Sequence, residues 1–150
     1  MSEVTHSDFE QLGEIGGEEG KAAGVWATDE EGRILLQLRD DIPTIKMPGW
    51  MGLFGGHVEP GEGLAACAAR EFAEETGIAI STDELIPQLV YRSQTQDNML
   101  HYIFELTRRI RPTEVVVYEG AGYAFLTPTQ FDRFPILPSV KTAALKLARL

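Results

Sequence analysis

Residues 56–78, GHVEPGEGLAACAAREFAEETGI, restrict this chain more than any other stretch. The turn-forming EPGE precedes about 14 residues that read as helix, closed by Gly77 where a left-handed backbone is wanted. Glu71, Glu74 and Glu75 stand at i, i+3 and i+4, within roughly a 100° sector of one helix face. Glu71 and Glu75 repel across one turn at a cost of a few tenths of a kcal/mol. Each of the three also opposes the negative end of the helix dipole, by about 0.3–1 kcal/mol where exposed. A solvated acidic face is the ordinary outcome of such a run. The alternative is a hard divalent cation, which takes oxygen ligands and cancels the repulsion. The residues around the helix decide between the two.

Upstream, AAGVWAT and RILLQLR are apolar runs separated by DEEG, which predicts a hairpin over residues 22–28 and 33–39. DDIPTIKMPG reads as a loop, and WMGLFGGHV as a brief strand entering a tight turn at Gly55 and Gly56. Downstream, ELIPQLVYRSQ and NMLHYIFELTRR predict two strands joined by the polar loop SQTQDN. In the second, Leu100, Tyr102, Phe104 and Leu106 alternate against His101, Ile103 and Glu105. Strands are expected at VVVY and YAFL, a helical turn at PTQFDRF, and a C-terminal helix from about residue 138 with Ser139 as N-cap. Residues 1–20, acidic and Gly-rich, read as a loosely ordered arm with one edge strand around Phe9 to Ile15. Residues 21–150 read as one domain of mixed α and β type.

A chain of 150 residues, 43% apolar, buries a full core without disulfides, and its single cysteine rules out an internal one. No apolar run is long enough to span a bilayer and no secretory leader pattern is present, so a cytoplasmic protein is expected, with no membrane partner. The net charge of −10 repels duplex nucleic acid, while leaving room for a small phosphorylated substrate beside a bound cation.

The decisive segment resembles the Nudix box, G-x5-E-x7-R-E-U-x-E-E-x-G-U, where U is a bulky apolar residue. Gly56, Glu62, Arg70, Glu71, Phe72, Glu74, Glu75, Gly77 and Ile78 fill its fixed positions. Chance agreement at this many positions is very small, and the acidic-face reading gives way. The resemblance implies an α/β fold, the Nudix-type α/β/α sandwich with a mixed central β-sheet. It also implies hydrolysis of a nucleoside diphosphate linked to another group, by water attack at phosphorus.

Roles follow from the same resemblance. Glu71, Glu74 and Glu75 would bind Mg²⁺, with Mn²⁺ as substitute, and in many members the carbonyl of the glycine at position 55 joins the metal shell. Glu62 and Arg70 would tie the loop to the helix. Phe72 and Ile78 should be core. The base is a box glutamate or a distal acid. Glu119, before a Gly-rich turn, has the look of that acid and of a further metal ligand, with Glu114 and Glu59 as competitors. Arg39 is expected to reach substrate phosphate or to form a surface ion pair. Trp50 would stack on a base or pack into the core, and His57 lies where substrate should be. Phe54 stands where the family often has proline. Cys67 reads as a buried small apolar residue.

The neighbouring signatures of ADP-ribose, dinucleoside polyphosphate and coenzyme A hydrolases are not matched. That leaves a (deoxy)nucleoside triphosphate or a nucleotide sugar as substrate. A homodimer is common in the family. A sensing or partner-binding module is the alternative where box acids are lost, and here none is lost. Isopentenyl diphosphate isomerase shares the fold, but Cys67 is badly placed for its catalytic cysteine.

Overall fold

The computed structural model describes residues 3–16, 20–93 and 98–148. Among the described residues, eight strands and two α-helices form two sheets, with a helix on either side of the larger one. The larger sheet has the order β1 (Glu10–Leu12), β6 (Leu85–Arg92), β7 (Leu100–Leu106), β2 (Lys21–Trp26), β5 (Phe54–His57). It is mixed: β1 runs parallel to β6, and β2 parallel to β7, while β5 and β6 are antiparallel to their neighbours β2 and β7. The smaller sheet, β4 (Met51–Gly52), β3 (Ile34–Leu38), β8 (Gly122–Leu126), is antiparallel.

The alternation along β7 sorts residues between two cores. Leu100, Tyr102, Phe104 and Leu106 join Ala23, Val25 and Phe54 under helix α1 (Leu64–Thr76), which contributes Cys67, Ala68 and Phe72. Ile103 faces the other way and packs with Trp26, Leu89 and helix α2 (Pro138–Leu147) through Val140, Ala143, Ala144 and Leu147. Each helix thus buries its apolar stripe on its own side of the large sheet. That is the sandwich the sequence implied.

Several local expectations are corrected. The two runs flanking DEEG do not make a hairpin beyond its base, where Thr28 pairs with Ile34 and the Leu35 N–H donates to Ala27. Beyond that point β2 enters the large sheet and β3 the small one. Both runs are apolar on both faces, and each feeds residues to both cores, so the strands diverge to separate the layers. WMGLFGGHV likewise supplies two strands, β4 and β5, that belong to different sheets. Gly55 and Gly56 lie within β5 rather than in a turn. What requires glycine there is close approach: a methyl at Gly55 would stand 2.2 Å from the Ala23 carbonyl oxygen.

The VVVY segment is not a strand. Its backbone runs past the C-terminus of α1, where the Val116 and Tyr118 N–H groups donate to the carbonyls of Thr76 and Glu75. These carbonyls have no partner inside the helix, and supplying one outweighs the β propensity of the valines. The N-cap of α2 is Leu137 and not Ser139, because Pro138 sits at the first helical position, where its missing N–H costs nothing. Gly77 closes α1 in the left-handed region (φ 74°), as expected, and β1 forms within the expected edge segment. Phe9, ahead of it, is buried. PTQFDRF forms a 3₁₀ helix over Pro128–Arg133. Residues 94–97 of the expected polar loop lie outside the described residues.

Candidate active site

The last two turns of α1, strand β5, the end of β3 and the Glu119 loop enclose a cavity of about 510 Å³. Glu71, Glu74, Glu75 and Glu119 all line it, so the carboxylates singled out in sequence come to one place. Arg39, Gly55 and His57 line it too. Trp50 does not: it is half-buried against the second core, packing rather than facing the cavity. Glu114 pairs with Arg108 at 3.3 Å and Glu59 is an exposed turn residue, and neither borders the cavity.

Arg70 organises the box. Its guanidinium grips Glu62 twice, Nε to Oε2 at 2.6 Å and Nη2 to Oε1 at 2.9 Å, which ties the preceding loop to the helix. These bonds hold the Glu62 carboxyl down to about 2. Nη1 donates to Glu71 at 2.9 Å and lies 3.3 Å from Glu74, while Nη2 also donates to the His57 carbonyl. Two of the cavity carboxylates therefore share one guanidinium with Glu62, and the four groups together keep a net charge of −2.

Glu75 is set apart. It is 4% exposed, and its Oε1 accepts the Gly55 N–H at 2.9 Å while Oε2 faces the Gln37 amide at 3.4 Å. Burial pushes its carboxyl up to about 8, with the charges of Glu119 and Glu71 adding to the effect. Glu74, by contrast, has 58% of its side chain exposed, and Glu119 is exposed. As the side chains stand, no group of three or more acids, histidines or cysteines among the described residues is arranged to share an ion. The donor chemistry nevertheless fits a hard divalent cation: the acids are all oxygen ligands on one cavity, and Glu75 carries the cost of facing Glu119 and Glu71 without a counter-charge.

The rest of the cavity is different in kind. Its floor is the face of the large sheet where the register aligns Tyr91, His101 and Ala22, and its far wall is the start of α2, including Ser139. Tyr91 stacks on His101 at 5.4 Å between ring centres. Burial, with His57 adding, pulls the His101 imidazole down to about 4, so it is neutral near pH 7. Arg39 borders the opposite side and donates from Nε and Nη2 to the Lys46 carbonyl, which fixes the loop before β4. Among the described residues the Arg39 guanidinium makes this carbonyl contact in place of a surface ion pair, while still bordering the cavity.

Two features escaped the sequence reading. Gln37, 8% exposed, was one letter in an apolar strand, and its signal was being the lone amide in ILLQL. The Tyr91–His101–Ser139 end of the cavity has no local signal, since three separate elements build it. Cys67 behaves as expected: it is buried, burial pushes its thiol up to about 12, and its Sγ rests on the Gly56 and His57 carbonyls.

The fold and this set of residues define a two-sheet, two-helix domain with an acidic helix-end cavity. The NUDIX domain model matches residues 18–142, and the chain belongs to that family. Among solved structures, the MutT protein of Methanosarcina mazei Go1 superposes with a TM-score of 0.69 at 21% identity, covering 87% of this chain and 93% of that one. The dihydroneopterin triphosphate pyrophosphohydrolase of E. coli superposes with a TM-score of 0.63 at 16% identity, covering 89% and 98%. A local sequence match joins the chain to the isopentenyl-diphosphate Delta-isomerase of Nocardia farcinica, 38% identical over 65 residues. It spans 43% of this chain and 37% of that protein.

Proposed function

We propose that this NUDIX protein is a divalent-metal-dependent pyrophosphohydrolase. Its substrate is a nucleoside diphosphate carrying a further group, of the (deoxy)nucleoside triphosphate or nucleotide-sugar class. The observation that carries the reading is the cavity itself: four carboxylates at one end, and a partly apolar floor with a stacked Tyr91–His101 pair at the other. Family membership and the pyrophosphohydrolase among the similar structures support it.

Glu71, Glu74, Glu75 and Glu119 would hold Mg²⁺, with Mn²⁺ as substitute, and Gly55 would add a carbonyl. When bound, the ion offsets the charge of the diphosphate and acidifies a water. The chain's own residues do the rest. Arg70 keeps Glu71 and Glu74 on the cavity side of the helix, and the Gly55 N–H orients Glu75. Glu119 serves as the base for the attacking water, a role typically contributing 10²–10⁴-fold. His57 and Arg39 contact substrate from the cavity rim.

The isomerase match gives a second reading a specific footing, but Cys67 weighs against it. It is the chain's one cysteine, its thiol is sealed in the first core, and burial keeps it protonated.

The test is phosphate and pyrophosphate release from a panel of nucleotides with Mg²⁺, set beside Glu74→Gln. Hydrolysis by the wild type and at least a tenfold loss in the variant are expected. A wild type inert toward the whole panel, or an unimpaired variant, overturns the proposal.

A further inference from the structure

Gln37 sits on β3, in the small sheet, yet its side chain joins two parts of the site that the backbone leaves separate. Its Nε2 lies 3.0 Å from the carbonyl oxygen of Glu119 and 3.4 Å from Oε2 of Glu75. A carbonyl oxygen can only accept, so the amino end of the amide faces both, and its two hydrogens serve two acceptors. Glu75 is thereby held from both sheets, by the Gly55 N–H of β5 on one oxygen and by Gln37 of β3 on the other.

The same bond fixes the Glu119 loop at its middle. On one side, the Tyr118 N–H donates to the Glu75 carbonyl at 3.1 Å. On the other, the Ala121 N–H donates to the Leu38 carbonyl at 2.9 Å. Between them, Gly120 (φ 96°) presses onto β3 so closely that a methyl there would lie 2.9 Å from the Leu38 oxygen and 3.0 Å from Gln37 Nε2. The loop is thus closed onto the residue that also holds Glu75.

The identity of the side chain is informative. A lysine or arginine would reach the same acceptors but bring a charge that competes with a cation at Glu75. A glutamate would oppose a carbonyl and a carboxylate with further acceptors. A primary amide supplies two donors at no net charge, in a position 8% exposed where an unmet hydrogen bond is costly.

We infer that Gln37 is a positioning residue that sets the Glu119 loop and the Glu75 carboxylate in one fixed relation. This rests on the proposed hydrolase reading, in which Glu119 and Glu75 act together. In this role Gln37 acts through Glu119 and Glu75.

The test uses the full chain with Gln37→Met, Glu119→Gln and the double variant, read by kcat, KM, Mn²⁺ titration by electron paramagnetic resonance, and melting temperature. Gln37→Met is expected to lower kcat about 10–100-fold with KM little changed, and to weaken Mn²⁺ binding by a factor in the same range. The double variant is expected to lose less than the product of the two single losses, because both changes act on one unit. Full activity in Gln37→Met, or losses that multiply in the double variant, overturns the inference. If Gln37→Met does not fold, Gln37→Leu repeats the test, again with no donor and no added carboxylate. A wild type that hydrolyses nothing, yet binds Mn²⁺ more tightly than Gln37→Met, sinks the functional reading and leaves this inference standing.

Discussion

The α-carbon of Gly56 lies against the carboxylate of Glu71, so that a methyl built there would stand 2.3 Å from the carboxyl carbon. One residue earlier, a methyl at Gly55 would stand 2.2 Å from the Ala23 carbonyl oxygen and 2.7 Å from the Gly24 α-carbon. The two glycines are adjacent, but what they make room for differs: a movable side-chain end at Gly56, and a neighbouring strand at Gly55.

Alanine at each position should therefore fail in a different way. Gly56→Ala displaces the Glu71 carboxylate by rotation, which is cheap in stability but removes it from the cavity. The expectation is a melting temperature near that of the wild type and at least a tenfold lower kcat. Gly55→Ala has no flexible atom to move and must separate β5 from β2, costing about 1–3 kcal/mol or more. Thermal melts and initial rates on both variants check this. Equal destabilisation of the two would contradict it.

The contrast also shows what the sequence could and could not carry. The helix Leu64–Thr76, its Gly77 stop and the β6–β7 pair were legible because caps and period-2 alternation are written in neighbouring residues. The splitting of the DEEG hairpin was not, since a strand apolar on both faces does not say which sheet it will join. Val115–Tyr118 has the composition of a strand, and what overrides it is the set of unpaired carbonyls at the end of a helix, paired across separations of 40 and 43 residues. Among the site residues, the box acids share a helix and could be read together. Gln37 meets Glu75 and Glu119 from sequence separations of 38 and 82, which no local pattern encodes.

The Glu62–Arg70 pair makes a prediction for acid stability. Glu62 is held at about 2 in the folded chain, mainly by the Arg70 hydrogen bonds, against an ordinary value of 4.5. A depressed carboxyl stabilises the fold above its unfolded pKa, and that stability drains away as pH falls from about 4.5 toward 2. The guanidinium is 27% exposed, so solvent screening trims the gain to about 1–2 kcal/mol. Glu62→Gln is expected to be less stable than the wild type at pH 7 by this amount, with the gap closing toward pH 2–3. His101, pulled down to about 4 from 6.5, costs both proteins stability over that interval, so it cancels in the difference. Urea denaturation at a series of pH values measures the gap; a constant gap would show that Glu62 acts by packing instead of charge.

Glu75 makes the opposite prediction in the metal-free chain. Its carboxyl is raised to about 8 by burial and by Glu119 and Glu71, so the folded state prefers it protonated. A raised carboxyl stabilises the fold below its unfolded pKa of about 4.5, and this stability is lost as pH climbs through 8. With a chelator present, the wild type is expected to lose on the order of 2 kcal/mol more than Glu75→Gln between pH 5 and 9, a typical penalty for an uncompensated buried polar group. The slope is the readout, because glutamine cannot satisfy both the Gly55 N–H and the Gln37 amide, and its absolute stability carries that loss. Saturating Mg²⁺ should then flatten the wild-type slope and leave the variant's unchanged, since an ion at the cavity supplies the counter-charge the proton otherwise provides. Parallel slopes for the two proteins under chelator would mean that Glu75 is not the buried acid responsible. A wild-type slope untouched by the ion would mean that no cation reaches its carboxylate.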